Sequence, residues 1–183
     1  VSGRFHGGLV ATPDGYLLAV TARGVQLLEL SPDAERRSHR RIDDGEHPDL
    51  TCGPRVCLIV YADGSDVRPR RVDLAGRPLD PGPLTLASDA TGVSNLSVAA
   101  DGDVFLVVAT ERERARTFRV SEAGVASPAL FLSASNVPAD VVGGPGVFLV
   151  VQETTTRMRR DGRVLGSTPL GSSPRHPWAT PAA

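Results

Sequence analysis

Short, nearly all-apolar runs alternate along the chain with polar stretches rich in Gly, Pro and Asp, and the apolar runs look like copies of one another. Gly15-Tyr16-Leu17-Leu18-Ala19-Val20 aligns with Arg55-Val56-Cys57-Leu58-Ile59-Val60. The same pattern returns in Asp103-Val104-Phe105-Leu106-Val107-Val108 and in Gly146-Val147-Phe148-Leu149-Val150-Val151. Taking Leu17, Val56, Val104 and Val147 as equivalent, the steps are 39, 48 and 43 residues. Short apolar runs bounded by turn residues predict strands covered on both faces. No segment carries an apolar stripe at helical spacing over three turns, so no helix is predicted. The run Glu111–Arg116 is read as a loop or strand extension.

Each repeat has the same internal order. A first short strand precedes the apolar run: Gly8–Ala11, Asp49–Thr51, Asn95–Ala99 and Ala139–Val142. Turn residues follow it: Pro13-Asp14-Gly15, Gly53-Pro54-Arg55, Asp101-Gly102-Asp103 and Gly143–Gly146. Gly and Asp tolerate φ > 0 and Pro pre-sets its own φ, so these read as hairpin turns. After the apolar run come a polar loop and an alternating strand, as in Gln26–Leu30, Pro69–Asp73 and Thr117–Ser121. A turn around Gly76, Gly124 or Gly162 leads to a closing strand at Pro83–Leu86, Ala129–Leu132 or Ser167–Leu170. In the first repeat the closing strand would be Arg36–Ile42, the least strand-like of the set.

Units of 40–50 residues built only from strands match a β-propeller blade. The fold class expected is therefore all-β, a β-propeller with four blade-like repeats of about 43 residues. The repeats run about 5–42, 43–88, 89–134 and 135–170, followed by a Pro/Ser/Ala-rich tail at 171–183. Repeats two and three resemble a family of secreted bacterial β-propellers. The unit there reads as an apolar "LVVW" strand, an "RVD-x-x-G" strand and turn, and a "PL-x-L" closing strand. The matching pieces are Cys57–Tyr61, Arg71–Gly76 and Pro83–Leu86, then Phe105–Val108, Arg119–Gly124 and Leu130–Leu132. Thr12–Val20 is similar to the "SPDG" units of other propellers. The likeness covers about 160 residues and implies a blade rather than an activity. The WD and kelch signatures are missing.

Four blades sit at the small end of the propeller range. The expectations are a complete small propeller, part of a longer polypeptide, or a chain that pairs with a second chain to complete the ring. An incomplete ring would expose apolar faces and sheet edges that demand a partner.

Composition narrows the function classes. Hydrophobic residues make up 40%, charged residues 22%, and the net charge is −1, an ordinary globular balance. A charge this small gives no general attraction to nucleic acid, and none is expected as a partner. No run of 18 apolar residues occurs, so no membrane span is expected. All 20 basic residues are Arg. With abundant Ala, Gly and Pro, this points to the codon usage of a high-GC bacterium.

Cys52 and Cys57 flank the turn Gly53-Pro54 and face each other across a tight hairpin. A structural disulfide is expected, with two buried thiols as the alternative. No further Cys exists to complete a zinc site. A disulfide implies an oxidising compartment, so the expected location is secreted or periplasmic.

In a propeller, the loops between blades share one face with the loops joining second and third strands. That face would gather Asp44, Glu46, His47, Asp63, Asp66, Arg68, Arg70, Arg112, Arg114, Glu153 and Arg157 as binding-face candidates. Its mixed acids and Arg suit hydrogen bonding to a glycan or pairing with a protein. Asp44, Glu46 and His47 are the densest metal-ligating set, but their spacing matches no EF-hand and no His-x-x-x-His pattern. Asp63-Gly64-Ser65-Asp66 reads as a turn or a Ca²⁺ site. No cofactor is expected, with Ca²⁺ or another divalent ion left open. The four histidines, His6, His39, His47 and His176, accompany no nucleophile motif, and Gly-x-Ser-x-Gly is absent. The expected function is an extracytoplasmic binding or scaffold module that offers one loop face to a protein or glycan. The alternative is a hydrolase or lyase, metal-assisted, with its site on the same face.

Overall fold

The computed structural model of the chain describes residues 7–82, 84–90, 92–112, 114–132 and 137–170. Every regular element among them is a strand. The first antiparallel sheet is β1 (Gly7–Thr12), β2 (Gly15–Thr21), β3 (Val25–Leu30) and β4 (Arg36–Asp43). The second has three strands, β5 (Glu46–Cys52), β6 (Val56–Asp63) and β7 (Asp66–Asp73). The third is β8 (Asn95–Asp101), β9 (Val104–Glu111), β10 (Arg114–Ser121) and β11 (Leu130–Phe131). The fourth is β12 (Asp140–Gly144), β13 (Val147–Val151), β14 (Thr154–Arg159) and β15 (Val164–Pro169). All four sheets are antiparallel meanders in chain order.

Hairpin register decides which residues are equivalent. Thr12 pairs with Gly15, Asp101 with Val104 and Gly144 with Val147 at the closed ends of the first hairpins. In the second sheet Cys52 pairs with Cys57, and the Gly53 N–H donates to the Val56 carbonyl at 2.8 Å. Gly15, Val56, Val104 and Val147 are therefore equivalent, and the first step is 41 residues rather than 39. The run alignment that set Gly15 on Arg55 slips by one: Leu17, not Leu18, matches Leu58, Leu106 and Leu149. Side chains alternate along a strand, so that slip exchanges the two faces of the sheet. Leu18 falls in line with Ile59, Val107 and Val150; those three are buried, whereas Leu18 is half-buried.

The sheets stack face on face. Leu17, Ala19, Val25 and Leu27 of the first meet Cys57, Ile59, Tyr61 and Val72 of the second. Leu58, Val60 and Val67 of the second meet Phe105, Val107, Phe118 and Val120 of the third. Leu106, Val108 and Ala115 of the third meet Phe148, Val150 and Met158 of the fourth. Strands β6 and β9 are buried on both faces, as their unbroken apolar runs predict; β2 and β13 alternate because only one face is covered. The inner strands β1, β5, β8 and β12 pack side by side in that order. Among the described residues no strand of the first sheet packs on the last sheet as neighbouring sheets do, so the four described blades form an open arc.

Closing strands differ most from expectation. Among the described residues no fourth strand forms in the second repeat; two isolated bridges, Val72 to Pro78 and Val67 to Ala87, stand in its place. Pro78 and Pro81 supply no N–H to a ladder, which explains the loss. Pro83 itself lies outside the described residues. In contrast, Arg36–Asp43 is a full strand, charged and exposed from Arg36 to Arg41, as suits a sheet edge. The tail 171–183, with His176 and Trp178, and His6 also lie outside the described residues.

Candidate functional site

One end of the arc carries the starts of the inner strands and the hairpin tips β2–β3, β6–β7, β9–β10 and β13–β14. The pairs Gly7–Val20, Glu46–Ala62, Asn95–Thr110 and Asp140–Val151 place them together. At the axis of this face is a cleft of about 490 Å³ lined by Gly7, His47, Asp49, Asn95, Ser97 and Asp140 among others.

Register builds the cleft. Gly8, Asp49, Ser97 and Asp140 pair with Ala19, Val60, Val108 and Val151, so they hold one position in four successive inner strands. Asp49 and Ser97 each reach the next blade. The Val98 N–H donates to Asp49 Oδ2 at 2.8 Å, and the Val141 N–H donates to Ser97 Oγ at 3.2 Å. The Ser97 hydroxyl donates to Asp140 Oδ1 at 2.6 Å. Gly8 has no side chain to offer, and a Cβ there would collide with Leu50 N and Asp49 Oδ1. Asp49 takes that space and accepts the Leu50 N–H itself at 2.9 Å. Burial raises the Asp49 pKa above the ordinary carboxylate value, opposed by the N–H groups of Val98 and Leu50 and reinforced by the charge of Asp140. Asn95 Nδ2 donates to the Ala139 carbonyl at 2.7 Å and ties the blades at the cleft wall.

His47 enters the cleft through a break in the ladder between Glu46 and Asp49. Its φ of 53° lies in the left-handed region, uncommon for a non-glycine residue. The bulge turns the half-buried imidazole toward the axis. Its Nε2 lies 4.0 Å from Glu46 Oε1. Asp44 is drawn instead to Arg41, and among the described residues no three acidic, His or Cys side chains converge as a metal site. The Ser97 hydroxyl has its proton on Asp140 and a lone pair on Val141 N–H, an arrangement that binds blades together rather than activating a nucleophile.

Two ion-pair clusters stand at hairpin tips of the same face. Arg68 bridges Asp63 at 3.0 Å and Asp66 at 2.8 Å across the β6–β7 turn. Nearby, the Tyr61 hydroxyl donates to Asp43 Oδ2 at 2.6 Å; burial and that carboxylate push its pKa far above the ordinary phenol value. At β9–β10 the buried Glu111 accepts from Arg114 at 3.0 Å and from Arg116, which also reaches Asp89 at 2.8 Å. Burial opposes the Arg116 charge, but the Asp89 and Glu111 contacts outweigh it and raise its pKa. Arg116 in turn holds the Asp89 carboxyl below its ordinary value. Phe131, 54% exposed, lies with its ring centroid 5.0 Å from the Arg114 guanidinium carbon and 5.7 Å from that of Arg116.

The loop end of the arc thus holds Asp44, Glu46, His47, Asp63, Asp66, Arg68, Arg112, Arg114 and Glu153. Arg112 lies over Gly92, and Glu153 occupies the β13–β14 turn. Two candidates lie elsewhere. Arg70 pairs with Ile59 and sits between the first and second sheets. Arg157 pairs with Leu149 on the outer face of the fourth sheet. The axial residues Asn95, Ser97 and Asp140 were not among the candidates; Glu111 and Arg116 were expected on the loop face as part of the run Glu111–Arg116, but their partners Asp89 and Phe131 were not. The signal for the axial set was the alignment of the first strands of the repeats; only pairing across β9 and β10 brings the network together.

No family model and no curated protein matches the chain. Solved structures do. The Dos1 propeller superposes with a TM-score of 0.63 at 10% identity, over 95% of this chain and 50% of that one. The fold is that of a β-propeller. BBS1N in complex with ARL6DN matches with a TM-score of 0.57 at 14% identity, over 88% of this chain and 52% of that one. A nidogen/laminin complex matches with a TM-score of 0.51 at 12% identity, over 84% of this chain and 59% of that one. The chain spans 50% to 59% of the length of these three structures.

Proposed function

We propose that this chain is an extracytoplasmic binding or scaffold module whose loop face docks a protein. The observation that carries the reading is the cluster at the β9–β10 tip. The half-exposed Arg114 guanidinium is held by the buried carboxylate of Glu111, which the buried Arg116 braces in turn, and an exposed Phe131 ring stands beside Arg114. Arg and aromatic side chains held in place are the residue types that anchor protein interfaces, because little rotamer freedom is lost on binding. Leu130, 40% exposed, extends the apolar part of the patch. Aromatic residues are only 4% of the chain, which leaves few rings for stacking on sugars and favours protein over glycan. Two of the matching structures are complexes with a protein partner by title, which supports a protein-binding role for this fold. The Cys52–Cys57 disulfide supports a secreted or periplasmic location.

The test is binding of purified chain to arrays of extracytoplasmic proteins and of glycans. A protein ligand is expected, with affinity falling ~10-fold or more in Phe131→Ala and Arg114→Ala. Signal confined to glycans, or protein binding that both variants retain, overturns the proposal.

A further inference from the structure

We propose that two copies of this chain join head to tail into a closed two-fold ring. The outer face of the first sheet of each copy packs on the outer face of the fourth sheet of the other. The argument starts from the rule by which the blades already pack. Leu9, Leu50, Val98 and Val141 pair with Leu18, Ile59, Val107 and Val150, so they hold one position in the four inner strands. The last three point at the preceding blade and are 4%, 6% and 6% exposed; Leu9, with no preceding blade among the described residues, is 60% exposed. At the other end, Val142 and Ala99 pair with Leu149 and Leu106 and face the following blade. Ala99 is 7% exposed under the fourth sheet, whereas Val142 is 59% exposed. Arg157 takes the place on this open face that Arg119, opposite Leu106, holds beside the fourth sheet.

Polar groups follow the same rule. Asp49 and Ser97 each accept the N–H of the next blade's residue at the Val98 or Val141 position. Asp140 is the next member of that series, and Leu9 N–H is the matching donor. Among the described residues Asp140 Oδ1 takes Ser97 and Val141, which leaves Oδ2 for such a donor. Each open face thus presents an apolar side chain where a neighbouring blade would cover it, one carries the acceptor that matches the other's donor, and a second copy supplies both missing neighbours at once. A head-to-tail contact repeats until its rotation closes. Two copies make eight blades, within the propeller range. The chain also spans 50% of the Dos1 propeller.

The experiment is sedimentation velocity of the purified chain, joined to cysteine cross-linking; among the described residues no free thiol interferes. A dimer is expected, and Leu9→Asp or Val142→Asp should each weaken it ~10-fold or more, with melting curves of the monomer unchanged because both side chains are exposed in the single chain. Oxidation should link Leu9→Cys to Asp140→Cys when the two variants are mixed, and neither variant to itself. A monomer at 100 µM (about that concentration being ample for a stable dimer) overturns the proposal and assigns these faces to another polypeptide. A dimer that survives both Asp variants, or a Leu9→Cys chain that links to itself, overturns the head-to-tail geometry.

Discussion

Two carboxylates of opposite tendency show how position sets chemistry in this chain. Asp80 is bound by Arg71, whose hydrogen bonds hold its carboxyl below the ordinary value despite burial. Its contribution to stability is therefore present above an unfolded value near pH ~3.9 and is lost as pH falls through the lower folded value. Asp49 runs the other way: burial raises its folded pKa, so its favourable contribution is complete below about pH 3.9 and is lost as pH rises through that raised value. Denaturant melts between pH 2 and 7 (an ordinary range, about five units) check the signs. Asp80→Asn should cost roughly 2 kcal/mol at neutral pH, and the deficit should shrink toward zero in acid. A deficit that stays constant with pH would mean that packing, not the charge pair, is what Asp80 supplies. The sequence shows these residues only as Asp; which one is buried and which is paired follows from neighbours 9 and 49 positions away.

At the level of the strand, the apolar run is the unit that both announces and holds each blade. Val107 lies in β9, which is buried on both faces, and it packs in the cluster between the second and third sheets. Val107→Ala should cost roughly 1–3 kcal/mol by equilibrium unfolding, from lost burial and the cavity left behind. Its counterpart Leu18 faces outward and is half-buried, so Leu18→Ala should cost less than half as much. Equal losses at the two positions would contradict the one-sided burial of the first sheet. The disulfide acts at the same scale: Cys52 and Cys57 are a directly opposed cross-strand pair. A loop this short gives an entropic gain of only ~2 kcal/mol, so the bridge secures one hairpin rather than the whole arc. The closing strands are where pattern reading was weakest. Arg36–Asp43 has a single apolar residue, Ile42, to mark it, yet its backbone completes the first sheet from Val25 to Leu30.

For the whole molecule, stability is a chain of nearest-neighbour contacts: first sheet on second, second on third, third on fourth. The middle blades have two such interfaces and the outer blades one. Charged pairs reinforce the joints, as Arg55 does to Glu122 at 2.8 Å and Arg160 to Asp103. Amide hydrogen exchange at micromolar concentration should therefore find β6 and β9 best protected, with β1–β4 and β12–β15 exchanging first. Raising the concentration should protect β1 and β12 selectively if the outer faces meet in a ring. Uniform protection across the four sheets at every concentration would show a single cooperative unit and remove the nearest-neighbour account.

The chain's own residues determined the class of fold and the repeat. Strand period, turn chemistry and the recurrence of one apolar run are local properties, readable because each blade folds its own strands in order. The Cys52–Cys57 pairing was legible for the same reason, since both residues lie in one hairpin. Tertiary structure alone decided what depends on neighbouring blades: that Leu9 is exposed while Leu50 is buried, and that Asp49, Ser97 and Asp140 line one cleft. It also decided that Arg114 and Arg116 share Glu111 beside Phe131, while Arg157 lies on an open sheet face. Identical local patterns receive different surroundings according to their place in the arc. The cleft contacts between blades join residues more than 40 positions apart, and no local pattern carries that information.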